Sequence, residues 1–554
     1  MTTGYTSFNS SPPSKTIRKR SHAKAGGLSA MFGCTYEGLA LFRILLGTLL
    51  TAELILRFRF LHVFYTDEGT KPLRLLLPNI DGLYRLVCYH CHFGTLLQQQ
   101  ILLIIQVLVA ICLAIGYQTK IAAILSFYMY TSLILRNTWL YFILDRYFYY
   151  LLFYSMFLPL DERWSLAAFT KSQQVGANTT ESTSRKNIFV NPATVALKML
   201  VFWIYLDAGW GKYMDPKEGW TYHADPLPAL DTYARHTVPA QHLYGMVGPE
   251  GLRLMTPLVV WVEILCVPVA LAGSYLGSVN IVRFAIVVIC MMHIGISLCI
   301  RNSNLLGYVA CCAWLVFLPL GWNNSERNDD NHNDRKNNSN SDTTAMSTAS
   351  QSFRNRLASL VTLVMVSAMV GGNIWFETIA TGCSTESLRL IWSTLLQNRW
   401  NVFIGAEEYV TWEIAPGRLQ DGSVVDVWGR TDMVNWNMPG SGAPCTSTSR
   451  PGRWRSFPYL ADLEGEDAEA LWGYLCQEWD SMNGVSENNN QGRKLLRFNF
   501  FMLQADVLPN MAFSSTRKRL VHSHECATAA KNDLDGPHNE TYHGEETSHA
   551  GQEL

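Results

Sequence analysis

Ionisable side chains interrupt segments that are otherwise apolar. Arg43 and Glu53 fall in 38–58, Lys198 and Asp207 in 191–209, Glu263 in 254–274, and Arg283 and His293 in 281–300, with Lys212 just past 191–209. In hydrocarbon such a group costs about 2.5–3.5 kcal/mol on insertion scales, so each needs a partner, a cavity or an interface. Their spread over several segments implies a polar internal cavity. A lysine in a partly desolvated pocket can fall below its reference pKa of about 10.4 and serve as a neutral amine base, which is the chemistry open to Lys212. Structural roles compete with it. Lys212 can anchor a helix at the interface, and Lys198 can snorkel toward the cytosol. Arg43, Glu53, Glu263 and Arg283 can pair and lock helices together. His293, in CMMHIGIS, fits either an interhelical hydrogen bond or a proton relay.

The elements that position these groups are long apolar runs. The chain has 554 residues, of which 48% are hydrophobic and 16% charged, but these averages conceal blocks as different as ILLIIQVLVAICLAI at 101–115 and the Asn/Asp/Ser-rich stretch 323–356. A span needs roughly 20 mostly apolar residues. Nine are expected, at 38–58, 97–117, 121–137, 146–160, 191–209, 254–274, 281–300, 304–321 and 356–377, with 121–137 and 146–160 the weakest. This is a polytopic α-helical membrane protein, not an ordinary soluble enzyme. A formal net charge of -1 gives no basic surface for nucleic acid.

Residues 1–35 read as a basic disordered tail carrying Lys15, Arg18, Lys19, Arg20 and Lys24, which places the N-terminus in the cytosol. Nine spans then put the C-terminal region on the lumenal or extracellular side, with loop 59–96, and leave 161–190 and 322–355 as cytosolic disordered linkers within the membrane domain 36–377. Residues 378–510 read as a lumenal, partly β domain, from stretches such as VTWEIAP, VVDVWG and LLRFNFFML. The polar 511–554 reads as a solvated tail without a metal site. Cysteines in spans are inert packing, whereas Cys88, Cys91, Cys383, Cys445, Cys476 and Cys526 fall on the oxidising side. A disulfide between loop 59–96 and the C-terminal domain is expected, and the Cys88-Tyr-His-Cys91 motif is read as structural or idle thiols. The compartment is the endoplasmic reticulum or another endomembrane.

The segment from Tyr205 to Lys212, YLDAGWGK, followed by Glu218-Gly219, resembles the membrane core of vitamin K-dependent γ-carboxylases and their wider HTTM-domain relatives. FRILLGTLLTAELILRFR with FYTDEG is similar to the family's opening helix and the acidic-Gly turn after it. Asp145, Glu263 and His293 match polar positions of other helices, and LLQNRWNVF, LQDGSVVDVWG, GRWRSFPYL and GYLC match the region after the core. The resemblance covers about residues 36–510 and implies vitamin K hydroquinone as cofactor, with no metal. It implies Lys212 as the base, helped by His293, with Tyr205, Asp207, Glu263 and Arg43 around the quinol, and a protein-bound glutamate as the carboxylated group. The likeness is nearer the general HTTM branch, because no His precedes the fourth span and the domain after the core is short. The alternative is a non-catalytic HTTM-domain membrane protein that binds a lipid or a lumenal protein partner.

Overall fold

The structure is a computed structural model. It describes residues 27–80, 82–175, 188–221, 227–301 and 304–319, three isolated helical positions at 360, 364 and 367, and, in the C-terminal part, 400, 403, 405–439, 450, 452–456, 463–485 and 491–526. The longer described helices of the first part include α1 (Tyr36–Arg57), α2 (Leu96–Ile115), α3 (Thr119–Arg136), α4 (Ile143–Ser155), α5 (Pro192–Tyr213), α6 (Val238–Tyr275), α7 (Val279–Cys299) and α8 (Asn304–Trp314). Five of the described helices, α1, α2, α5, α6 and α7, are long and apolar enough to cross a membrane, which marks a membrane-embedded chain.

Five of the nine expected spans are thus matched by described helices of crossing length. Helices α3, α4 and α8 fall in the regions 121–137, 146–160 and 304–321, but α4 has 13 residues and α8 has 11, too short at 1.5 Å per residue to cross about 30 Å of hydrocarbon. The region 356–377 lies outside the described residues apart from its three isolated helical positions. Helix α6 runs well past the expected span because two helical pieces meet at Gly248 (φ 69°), immediately before Pro249.

Helix α2 shows why these elements belong in lipid. Leu97, Ile101, Ile104, Ile105, Leu108, Ile111 and Ile115 are exposed, whereas Gln99 is buried, its amide donating to His90 O and Phe93 O. This inverts the pattern of a water-soluble helix, because lipid tails solvate apolar side chains while amides need partners inside the bundle. Local signals set the helix ends. Thr95 and Gln98 form a reciprocal capping box at the start of α2, and Gly116 (φ 76°) closes it in the left-handed conformation. Asn191 caps α5, accepting from Thr194 N at 2.9 Å, with Pro192 in the first turn.

The C-terminal domain has an antiparallel sheet and one long helix, α9 (Gly465–Met482). Strands β1 (Tyr409–Ile414), β2 (Pro416–Leu419), β3 (Val424–Asp426), β4 (Leu495–Asp506) and β5 (Arg517–Glu525) surround β4, which pairs with β1, β2 and β5. Phe498 and Phe500 on β4 pack toward Trp472 of α9, while Leu503 and Ala505, of opposite parity, pack with Trp412 and Ile414. Both faces of the sheet are thus apolar. Strand β5 corrects the reading of 511–554 as a solvated tail: 517–525 alternates no obvious apolar face, yet it pairs with β4 from Arg497↔Glu525 to Gln504↔Arg517. Likewise Leu28–Phe32 is helical and Cys34–Thr35 pairs with Ile188–Phe189, inside regions read as tail and linker. The linker 322–355 lies outside the described residues.

The two cysteine pairings are local. Cys88 joins Cys91 and Cys476 joins Cys526, so the expected bridge between loop 59–96 and the C-terminal domain is not seen among the described residues, and the CxxC motif is paired instead of idle. Cys383 and Cys445 lie outside the described residues. Contact between that loop and the domain is made by side chains. Lys71 Nζ donates to both oxygens of Asp467 at 2.9 Å, and the rings of Phe64 and Trp454 lie 4.9 Å apart.

Candidate functional site

The centre of the site is built where α5, α6 and α7 meet. Gly209 allows it. A β-carbon there would lie 2.7 Å from Ile264 Cγ1 and 3.1 Å from Glu263 Cβ, so only glycine lets α5 approach α6 this closely. One turn on, Lys212 Nζ donates to Glu263 Oε2 at 2.9 Å and to Oε1 at 3.1 Å, and lies 5.5 Å above the Trp220 ring. The helix continues to Tyr213 instead of ending at 209, so Lys212 is an interior residue, 3% exposed, and not an interfacial anchor in water.

Tyr205, two turns before Lys212 on the same helix, holds the second polar contact. Its hydroxyl lies 2.5 Å from His293 Nε2 on α7, and its ring is 5.6 Å from that of Trp314. Close passage of α8 over α7 sets this position too, because a β-carbon on Gly307 would collide with Ser297 Oγ and the His293 carbonyl. Trp314 is fully buried, and its indole N–H has no partner among the described residues.

Of the residues singled out from sequence, Lys212 is thus paired with Glu263 and Tyr205 with His293, the two pairs lying two turns apart along α5. Asp207 is spent elsewhere, accepting the backbone N–H of Trp400 at 2.5 Å. Arg43 does not join them. Its guanidinium donates to the Leu113 and Ala114 carbonyls, at 3.3 and 2.9 Å, and to Trp164 O at 2.6 Å, where it satisfies carbonyls at the C-terminal end of α2. Lys198 does not snorkel: it is 1% exposed and donates to Met31 O and Gly33 O at 3.0 and 2.6 Å.

A second ionic centre went unread in the sequence. Arg57 donates to Glu53 Oε1 at 2.8 Å and to Tyr65 Oη at 2.9 Å, and pairs with Asp145. Arg453, from the C-terminal domain, donates to Asp145 Oδ2 at 2.7 Å and pairs with Glu53. Tyr130 Oη donates to Asp145 Oδ1 at 2.8 Å. Two guanidinium groups against two carboxylates leave the buried cluster neutral, which is how ions survive without water. The spacing of Glu53 and Arg57, i and i+4 on one helix, was a signal; nothing in the sequence points Arg453 to Asp145.

No family model, curated protein or solved structure matches this chain.

Proposed function

We propose that the chain is a membrane enzyme that takes a quinol from the bilayer and uses Lys212 as its base, as the resemblance to vitamin K-dependent γ-carboxylases implies. The observation that carries this reading is the buried Lys212–Glu263 pair, with the Tyr205–His293 contact two turns away on the same helix α5. A paired lysine is an ammonium at rest and cannot accept a proton. Its partner supplies the way out: transfer of one proton from Nζ to the Glu263 carboxylate leaves a neutral amine and a neutral acid. Low dielectric narrows the gap between the ionic and neutral forms of such a pair. The amine then takes a proton from a hydroxyl at the site, and the ammonium stays beside the oxygen that has become negative. The Tyr205 hydroxyl and the His293 ring hold one another's orientation, and the Tyr205 ring packs on Trp314. Vitamin K hydroquinone, when bound, supplies the oxygen-dependent chemistry that generates a strong base for carboxylation of a peptide glutamate.

The same reading places the chain in an endomembrane with the N-terminus cytosolic and the C-terminal domain lumenal. Docking of that domain on loop 59–96 supports a common side for the two, and the disulfides in both support an oxidising one.

A second reading is favoured by the same ion pair, since it also fastens α5 to α6: a non-catalytic scaffold that binds a lipid or a lumenal protein. Lys212→Arg separates the two, because arginine keeps the charge and the carboxylate contact but gives no neutral amine. Epoxide formation from vitamin K hydroquinone under oxygen is measured in membranes holding equal amounts of native protein, Lys212→Arg and Lys212→Ala. The enzyme reading expects epoxide from the native protein and a loss of about 10²-fold or more in both variants. No epoxide from the native protein, or full activity in Lys212→Arg, rejects Lys212 as the base.

A further inference from the structure

We infer that the C-terminal domain binds a divalent transition-metal ion, through Glu469, His522 and His524. One ligand atom of each residue lies within 4.8 Å of the others. The placement follows from two periodicities. His522 and His524 are two apart on β5, opposite Phe500 and Phe498 of β4, so both imidazoles project from one face of the sheet. That face is covered by α9, on which Glu469, Trp472 and Cys476 recur at helical spacing, and the Cys476–Cys526 disulfide ties the helix to the chain just beyond β5. Strand and helix are therefore fixed to each other beside the three side chains.

The histidines are set up as ligands. The His522 ring stacks on Trp472, with centroids 4.9 Å apart and planes 13° apart, which fixes its direction. Its Nε2 is buried without a hydrogen-bond partner among the described residues. His524 Nδ1 is 3.7 Å from Glu469 Oε2, longer than a hydrogen bond. Zinc held at about 2.0–2.2 Å by nitrogen and oxygen wants its ligand atoms about 3.4 Å apart, so closing the triad needs side-chain movements of under about 1 Å. Glu469 is largely exposed and makes that movement easily. Two imidazoles and one carboxylate select a borderline divalent ion such as zinc and leave a fourth position open to water or to a ligand from outside.

The test uses full-length protein in detergent, stripped with EDTA and titrated with zinc by calorimetry. His522→Ala/His524→Ala and Glu469→Gln are compared with His538→Ala/His543→Ala/His549→Ala, which removes the histidines of the C-terminal 28 residues and leaves the triad. Non-reducing mass analysis of the Cys476–Cys526 bridge verifies the fold of each variant. In the native protein, zinc should also protect His522 and His524 from diethylpyrocarbonate. Expected is a single site that the tail variant keeps, with affinity reduced at least tenfold in Glu469→Gln and abolished in the double histidine variant. Unchanged zinc affinity in the double variant, loss of the site in the tail variant, or no zinc protection of His522 and His524 in the native protein overturns the assignment.

Discussion

Lys212 Nζ meets both oxygens of Glu263, at 2.9 and 3.1 Å, across the crossing of α5 and α6, and both residues are almost wholly buried. Such a pair is weak evidence of stability, since desolvation offsets most of the attraction, but breaking it by removing one member leaves a lone buried charge. Glu263→Ala is expected to lower stability by about 3–5 kcal/mol. The double variant Lys212→Met/Glu263→Leu should recover most of that, measured as the thermal midpoint of detergent-solubilised protein. Equal losses in single and double variants would show that the pair's electrostatics are not what matters there.

Gly209 is predicted to be the least replaceable residue of α5. Gly209→Leu forces a side chain against Ile264 and costs about 1–3 kcal/mol by overpacking. It also moves Lys212 away from Glu263. Acylation by an amine-reactive reagent, followed by mass spectrometry, reads this directly: Lys212 should be protected in the native protein and labelled in Gly209→Leu. Protection that persists in the variant argues against the crossing as the device that buries Lys212.

Arg453 ties the C-terminal domain to the helices. Arg453→Met leaves Glu53 and Asp145 with Arg57 alone, a net buried negative charge, and is expected to cost about 3–5 kcal/mol. Limited proteolysis should then cut within 452–456, which carries Arg453, faster than in the native protein. Arg453→Lys should not rescue, because an ammonium cannot present two forks of N–H donors to two carboxylates. Rescue by lysine would mean that charge alone suffices.

His90 makes the loop before α2 sensitive to acid. Burial drives its pKa down to about 4, and its Nδ1 lies 2.7 Å from Gln99 Oε1. A histidine with a folded pKa below its unfolded value of about 6.5 contributes stability that is complete above pH 6.5 and is lost as pH falls from about 6.5 toward 4. The slope approaches about 1.4 kcal/mol per pH unit in that window. Thermal midpoints of native protein and His90→Gln, compared between pH 7 and pH 5, should converge as the pH falls; parallel curves would assign the acid sensitivity to other groups.

Much of the architecture was legible because apolar length is a one-dimensional property. The positions of α1, α2, α5, α6 and α7 follow from runs that water cannot solvate, and the sheet from the alternation in VTWEIAP and LLRFNFFML. The short helices α4 and α8 were harder, because aromatic-rich stretches are apolar enough for lipid and short enough for a protein interior. Strand β5 was missed for the opposite reason: RKRLVHSHE is mostly polar, and only its pairing with β4 makes it a strand.

The identities of the costly residues were therefore determined by the sequence alone: Lys212, Glu263, His293, Glu53 and Asp145 stand in or beside apolar runs and had to be compensated. Which group compensates which was decided only in three dimensions. Lys212 and Glu263 are 51 positions apart, and Arg453 lies 400 from Glu53. Helix crossings at Gly209 and Gly307, and the docking of the C-terminal domain, set those distances. Arg43 and Lys198 show the converse: equally charged and equally buried, they end on backbone carbonyls because the helix ends beside them had acceptors to offer.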